Sequence, residues 1–405
     1  MKTAVAFFLL TTVILALGQE RSILDATIVL TGVRIYPSPT ANAIDDGVVV
    51  MRGGKIDQAA TRRSVSIPSG AGTTVLDLKG KVVTAGFQNS HVHFTEEKWQ
   101  GATDQPAQRL QQQLEAMLVR YGFTTVVDAA SLLPNTVALR RRIDSGEVPG
   151  PRILTAGLAA YPPDGVPYYV KEAVPADLLK LLPQPATTEQ AVDFVRENVE
   201  GGADVLKVFT GSWVTNQRVL TMPDNVAATI VAEAHRRNKL VFTHPSNVAG
   251  LEVALRAGVD VLAHTIEDTN GLTPDHLRRM KMLNMALIPT LHLFNRNNNI
   301  ATIVKEVGDY VRSGGDVMFG TDAGFLPDYD PADEFAQMTR AGLTWQQILA
   351  SLTTTPAARF GESSRRGQVI KGFDADLVVL DRDPATDPKA FSSVAAVFRK
   401  GKSVF

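Results

Sequence analysis

The strongest constraint on the fold is an alternation in the middle of the chain. Eight apolar runs end near His91, Asp128, Ala156, Phe209, His244, His264, Thr290 and Asp322. Between them lie stretches such as EQAVDFVRENVEGG, VAATIVAEAHRRN and VAGLEVALRAG, whose apolar residues recur every three or four positions. Strands that alternate with amphipathic helices pair in parallel, and eight such units fit a (β/α)8 barrel. A last helix is expected near Trp345–Leu352. The third run, RILTAG, leads into a Pro- and Tyr-rich segment from Leu158 to Pro185, expected to be a loop on the catalytic face.

Both flanks have a different texture. ATIVLTGVRIY, GVVVMRGGKIDQAA and TTVLDLKGKVV near the start, and ADLVVLDRD and AAVFRKGKSVF at the end, are short β-branched runs broken by Gly, Pro and Asp. The predicted fold class is therefore α/β: a TIM barrel over residues 85–359 with a small β-sandwich domain formed by both chain ends, 23–84 and 360–405. The first residues, MKTAVAFFLLTTVILALGQ, put Lys2 before an apolar run from Thr3 to Gly18, with Ala16 and Gly18 as small residues ahead of a cut before Gln19. That is the layout of a signal peptide over residues 1–18, and the run is short of the roughly 20 residues that span a bilayer. An exported protein, periplasmic or secreted, is expected, with no membrane span in its mature form.

Seven histidines and no cysteine confine metal chemistry to imidazole, carboxylate or modified side chains. With 41 Lys and Arg against 42 Asp and Glu, no global field points to nucleic acid or an anionic membrane. His91 and His93 are two apart in a strand and share a face. His244, His264 and Asp322 each close an apolar run, and Lys207 lies inside one, DVLKVFTG. Singly, a strand-end His is more often a satisfied core residue and a strand-end Asp a helix cap. In a barrel, however, strand ends converge on one mouth. His91, His93 and Asp322 could hold one ion, and His244 and His264 a second. Burial lowers a lysine pKa, and a neutral Lys207 amine can capture carbon dioxide as a carbamate, a carboxylate-like bridge. Weaker candidates for substrate contact are His292, Tyr161, Tyr168, Tyr169 and Trp213. His235 and His276, beside Arg and Asp in helical stretches, read as surface.

The order His91-Val92-His93, Lys207, His244, His264, Asp322 resembles the amidohydrolase superfamily. The flanks DGVVVMRGGKI, VLDLKGKVVTAGFQNSHVHF and FDADLVVLDRDP resemble its small β domain. AGVDVLAHT and FGTDAG are similar to segments of the imidazolonepropionase-like and prolidase-like branch. The resemblance implies a two-metal hydrolase, zinc by default, with carboxylated Lys207 as bridge. In the mechanism it implies, a hydroxide bridging the ions attacks a carbonyl carbon. Asp322 then acts as general acid/base between that water and the leaving nitrogen. Two departures stand: Ala85-Gly86 replaces Pro-Gly, and Asn89 replaces an Asp two residues before the first His. The expected substrate is a small molecule or small peptide with a C–N bond: an amide, a dipeptide or a cyclic amide. A homo-oligomer is compatible with this reading. A mononuclear deaminase of the same fold, which needs no bridging lysine, and a non-catalytic metal-binding barrel are the alternatives.

Overall fold

The computed structural model describes residues 26–405. The expected signal peptide lies outside the described residues. Among the described residues no helix is long and apolar enough to cross a membrane.

The first five strands are β1 (Thr27–Ile35), β2 (Ile44–Arg52), β3 (Lys55–Thr61), β4 (Thr73–Asp77) and β5 (Val82–Ala85). The parallel strands β6 (Phe87–Val92), β7 (Phe123–Asp128), β8 (Arg152–Thr155) and β9 (Leu206–Phe209) follow. A hairpin of β10 (Gly211–Thr215) and β11 (Arg218–Thr221) interrupts the series before β12 (Val241–His244), β13 (Val261–Ala263) and β14 (Ala286–Ile288). The chain ends with β15 (Leu377–Leu380), β16 (Val394–Arg399) and β17 (Lys402–Ser403).

Strands from both ends share one eight-stranded sheet, in the order β17-β16-β15-β5-β1-β2-β3, with β4 also on β1. β1 pairs with β4 from Thr27 to Thr31 and with β5 at Arg34 and Ile35. Period-two alternation sorts its side chains. Leu377 and Val379 of β15 join Leu30, Val33 and Phe398 in the sheet's own core. Val378 and Leu380, pointing the other way, pack into the large core shared with Phe87, Phe319 and Phe335.

The parallel strands form two sheets, β6-β7-β8 and β14-β13-β12-β9. Bridges connect them at both ends. Ala160 pairs with Val208 beyond β8, and Val317 and Ala323 of an extended segment pair with Leu287 of β14 and Val92 of β6. That segment is the eighth apolar run. Its strand geometry breaks because Asp322 takes a left-handed backbone, φ 60°. Gly324 there has φ 95°, and a Cβ on it would stand 1.9 Å from the His93 carbonyl oxygen, so only glycine fits.

Helices cover the parallel strands as the 3.6-residue period requires. In Ile300–Arg312, residues Ile303, Val304, Val307 and Tyr310 are buried and the charged side chains Lys305 and Arg312 are turned to solvent. The stretch from Leu158 to Pro185 departs from the expected loop: it contains the short helices Tyr168–Ala173 and Ala176–Leu179. Each starts after a proline, Pro167 and Pro175, and proline suits the start of a helix, where its missing N–H costs nothing.

Phe335, fully buried in the helix Ala332–Arg340, stacks on Phe319 at 4.7 Å and meets Phe391 at 5.5 Å between ring centroids. It thus ties the eighth run to the C-terminal segment. Phe335→Ala is expected to lower stability by about 3–5 kcal/mol through lost burial and a residual cavity. A denaturant midpoint within error of wild type would show that this junction carries little of the stability.

Candidate metal centre

One face of the parallel strands is lined by Val127, Leu154, Val205, Phe242, Val261, Ile288 and Met318. Stepping two residues along a strand keeps the same face. Val205 leads to Lys207, Phe242 to His244, and Met318 through Gly320 to Asp322. Lys207, His244 and Asp322 therefore sit at the C-terminal end of an apolar interior, for a reason written in the strand period.

His91, His93 and Asp322 meet at one point. His91 Nε2 and His93 Nε2 are 3.3 Å apart, and Asp322 Oδ1 is 3.2 Å from the first and 3.0 Å from the second. His264 stacks obliquely on His91, with 4.3 Å between centroids, and His244 lies 4.6 Å from His264. The ligand atoms of His91, His264 and Asp322 all fall within 4.8 Å of one another. His264 thus reaches the His91–Asp322 side as well as His244. Lys207 Nζ donates to the Ala263 carbonyl at 3.2 Å and stands 5.6 Å from the Phe209 ring centre. All six predicted ligands are drawn together, and only His93 keeps appreciable exposure, 13% of its side chain.

Hydrogen bonds assign the imidazole lone pairs. His93 Nδ1 lies 2.8 Å from the Ala130 carbonyl, which can only accept, so Nδ1 carries the proton and Nε2 the lone pair. Thr290 Oγ1 donates to the Pro289 carbonyl at 2.8 Å, so it accepts from His264 Nδ1 at 2.6 Å, which frees His264 Nε2. His93 Nε2 and Asp322 Oδ1 then face each other as two lone pairs. Asp322 Oδ1 has no hydrogen-bond partner, nor does His91 Nδ1. Buried acceptors crowded at 3 Å without a donor fit a cation between them.

The electrostatics agree. Burial and the Lys207 charge push the His91 imidazole down to about 3. Burial also holds His244 and His264 well below the usual histidine range, so both are neutral, as ligands must be. Burial opposes ionisation of Asp322, but the surrounding imidazoles of His91, His93 and His264 outweigh it, and the carboxyl stays well below its usual range. Burial lowers His93, yet the neighbouring Asp322 and Asp128 carboxylates and the Ala130 carbonyl prevail and raise it. Burial brings the Lys207 amine down to about 7, against a weaker pull upward from Asp322.

Several supporting residues escaped the sequence reading. Asn89 Nδ2 donates to Thr321 Oγ1 at 2.8 Å, and its Oδ1 accepts from the backbone N–H of His91 and Thr321. It clips the first strand to the eighth, a role an amide fills and a carboxylate could fill only in part. Asp128, wholly buried, accepts from Ser131, Thr136 and Thr155 below the turn that orients His93.

The substrate candidates divide. Tyr161 is 5% exposed and packs on Phe209 at 4.6 Å, and Phe209 in turn stacks on His244. Tyr161 is thus a backing layer to the centre. Tyr168 and Tyr169 are in edge contact, and Tyr169 reaches Phe325 across the mouth at 5.8 Å. Trp213 donates to Glu267. His292 Nδ1 lies 2.9 Å from Asp333 Oδ2, and its backbone N–H donates to Glu334 at 2.8 Å. His235, exposed, pairs with Asp260, and His276 caps the helix Pro274–Met282.

Glu334 is wholly buried and its carboxyl is pushed up to about 8, chiefly by burial. The unfolded chain releases this proton near pH 4.5, while the folded chain holds it until about pH 8. Between those values the folded state binds more protons, so stability falls as pH rises, by up to about 1.4 kcal/mol per unit for this group. Glu334→Gln is expected to flatten the pH dependence of the urea midpoint over that window. An unchanged slope would mean that Glu334 is ionised in the fold.

An α/β chain that gathers four imidazoles, a carboxylate and a buried amine at one set of strand ends offers donors suited to a divalent cation. The amidohydrolase family model matches residues 82–404, and the chain belongs to that family. Ochratoxinase of Aspergillus niger is 24% identical over 233 residues, 52% of this chain and 48% of that protein. The chain thus spans about half the length of this relative in the match. Among solved structures, a Xaa-Pro dipeptidase with bound methionine superposes with TM-score 0.77 at 19% identity, covering 93% of this chain and 99% of the other. The A. niger ochratoxinase structure gives TM-score 0.74 at 20% identity, with coverage of 94% and 96%. At these identities the structural likenesses speak for the fold alone.

Proposed function

We propose that the protein is an exported, metal-dependent hydrolase of C–N bonds in a small molecule or small peptide. Its two parallel sheets are read as one closed (β/α)8 barrel over residues 85–359. Residues 23–84 and 360–405 form a composite β domain, and residues 1–18 are removed on export. The bridges at both sheet ends and the sheet shared by both chain ends support this division.

The observation that carries the reading is the approach of His91 Nε2, His93 Nε2 and Asp322 Oδ1 to 3.0–3.3 Å, with no donor hydrogen assigned between His93 and Asp322. His91, His93 and Asp322 would hold one divalent ion and His244 and His264 another, with carboxylated Lys207 between them; zinc suits such donors. Bound there, the ions would supply polarisation of a carbonyl and water acidified toward neutral pH.

The remaining work belongs to the chain. Asp322, ionised and aimed into the cluster, accepts the proton of the attacking water and delivers it to the leaving nitrogen. The Lys207 amine, near neutrality, adds to the carbon of carbon dioxide and sheds a proton, turning a repulsive cation into a carbamate anion. Tyr169 and Phe325 narrow the mouth and exclude water. Membership of the amidohydrolase family favours amide bonds among C–N bonds.

The test is a screen of zinc-loaded protein against dipeptides, N-acyl amino acids, cyclic amides and lactones. Turnover of an amide-bearing class, lost on chelation, is expected. Failure on every class would favour a non-catalytic metal-binding barrel.

A further inference from the structure

Glu267 follows His264 by three residues and lines a cavity of about 440 Å3 together with Trp213, Asn216, Arg296 and Asn297. Its carboxylate is fixed from two sides. Trp213 Nε1 donates to Oε2 at 2.8 Å, and Asn297 Nδ2 donates to Oε1 at 3.2 Å. Asn299 Nδ2 holds the backbone by donating to the Glu267 carbonyl at 2.7 Å. The donors come from two other connections, those after β9 and after β14. Three loops of the mouth are thus joined through one acidic residue.

Every one of these partners is neutral. Burial pushes the Glu267 carboxyl up, against the hydrogen bonds from Trp213 and Asn297, and the charged neighbour that acts on it is Asp268, of like sign. Among the described residues no lysine or arginine comes within 4.0 Å of it, and Arg296 lines the same cavity without pairing with it. The ligand atoms that fall within 4.8 Å of one another among the described residues belong to His91, His264 and Asp322, and Glu267 is not in that group. A half-buried carboxylate held in place without a counter-ion is one half of a pair.

Chain geometry relates this cavity to the cluster. Glu267 lies three residues beyond His264, and Trp213, which holds it, lies four beyond Phe209, whose ring stacks on His244 at 4.6 Å. A substrate extending from the reacting bond along these two loops would meet the Glu267 carboxylate.

We propose that Glu267 is a specificity-determining residue that receives a protonated amino group of the substrate, so that amides and peptides with a free amino end are preferred over N-acylated ones. The proposal rests on the hydrolase reading of the same mouth and adds to it the charge of the substrate. Trp213 and Asn297 act as positioning residues that aim the carboxylate.

The experiment is calorimetric binding of L-phenylalaninamide and of N-acetyl-L-phenylalaninamide to the zinc-loaded full chain, followed by turnover of each. Wild type is expected to bind the free amine about tenfold tighter, the worth of one charge-assisted hydrogen bond. Glu267→Gln is expected to erase that preference while leaving the acetylated ligand unchanged. Trp213→Phe, which keeps a ring and removes the donor, is expected to narrow it. Equal binding of the two ligands by wild type, or an undiminished preference in both variants, would overturn the proposal. Preferential binding without turnover of either amide would count against the hydrolase reading and in favour of this one.

Discussion

Asp322→Asn is expected to lower kcat/KM by about 10²–10⁴-fold, the usual worth of a positioned general acid/base, while most of the bound metal remains. The amide keeps an oxygen in place of Oδ1, and five other ligands are untouched: His91, His93, Lys207, His244 and His264. What it cannot do is take a proton from water at neutral pH. Asp322 is suited to that task because it is buried, ionised and pressed against two imidazole nitrogens at 3.0 and 3.2 Å. The effect should appear in kcat, with KM little changed, since the lost interaction belongs to the transition state. Metal content measured on the same preparation separates loss of proton transfer from loss of the ion. A variant with wild-type turnover would remove Asp322 from the chemistry.

Lys207→Ala should be nearly as damaging for a different reason. The side chain is 2% exposed and hydrogen-bonded to the Ala263 carbonyl, and its amine is brought down to about 7 by burial. An amine near neutrality can react with carbon dioxide, whereas a solvated lysine would stay protonated and inert. Without the resulting anion, His244 and His264 lose the group that joins them to His91, His93 and Asp322. Metal content should fall from about two ions per chain toward one. Activity should fall by more than the roughly 10–100-fold that removing a supporting residue costs. Metal-free wild-type protein should also take up metal faster when bicarbonate is supplied, and the variant should ignore bicarbonate. Full activity and one ion per chain in Lys207→Ala would instead favour the mononuclear deaminase.

The candidate ligands were legible because they lie within or at the ends of the apolar runs that form the parallel strands. A period of two carries the eye from Val205 to Lys207 and from Phe242 to His244, and parallel strands bring their ends together whatever the loops do. Lys207 stood out as a charge inside an apolar run, and burial is what makes it reactive. The supporting layer was not legible, because it depends on turns. The Ala130 carbonyl meets His93 only through the path taken after β7, and Thr290 reaches His264 from a left-handed backbone, φ 47°. Asn89 looked like a departure from a pattern and is a clip between strands that are 232 residues apart in the chain. Glu267 followed a predicted ligand in plain sight, but its partners come from two other loops. Tyr161 was a weak candidate for the substrate wall, with packing as the alternative. It packs inward because Phe209 offers a flat apolar face that is already stacked on His244.

The central claim is that divalent ions held by His91, His93, Lys207, His244, His264 and Asp322 are required for hydrolysis. It is tested most directly by stripping the purified chain with chelator and titrating metal back while turnover is followed. Activity should vanish in the metal-free protein and return in proportion to metal bound, saturating at about two ions per chain. Undiminished turnover in metal-free protein would contradict the account.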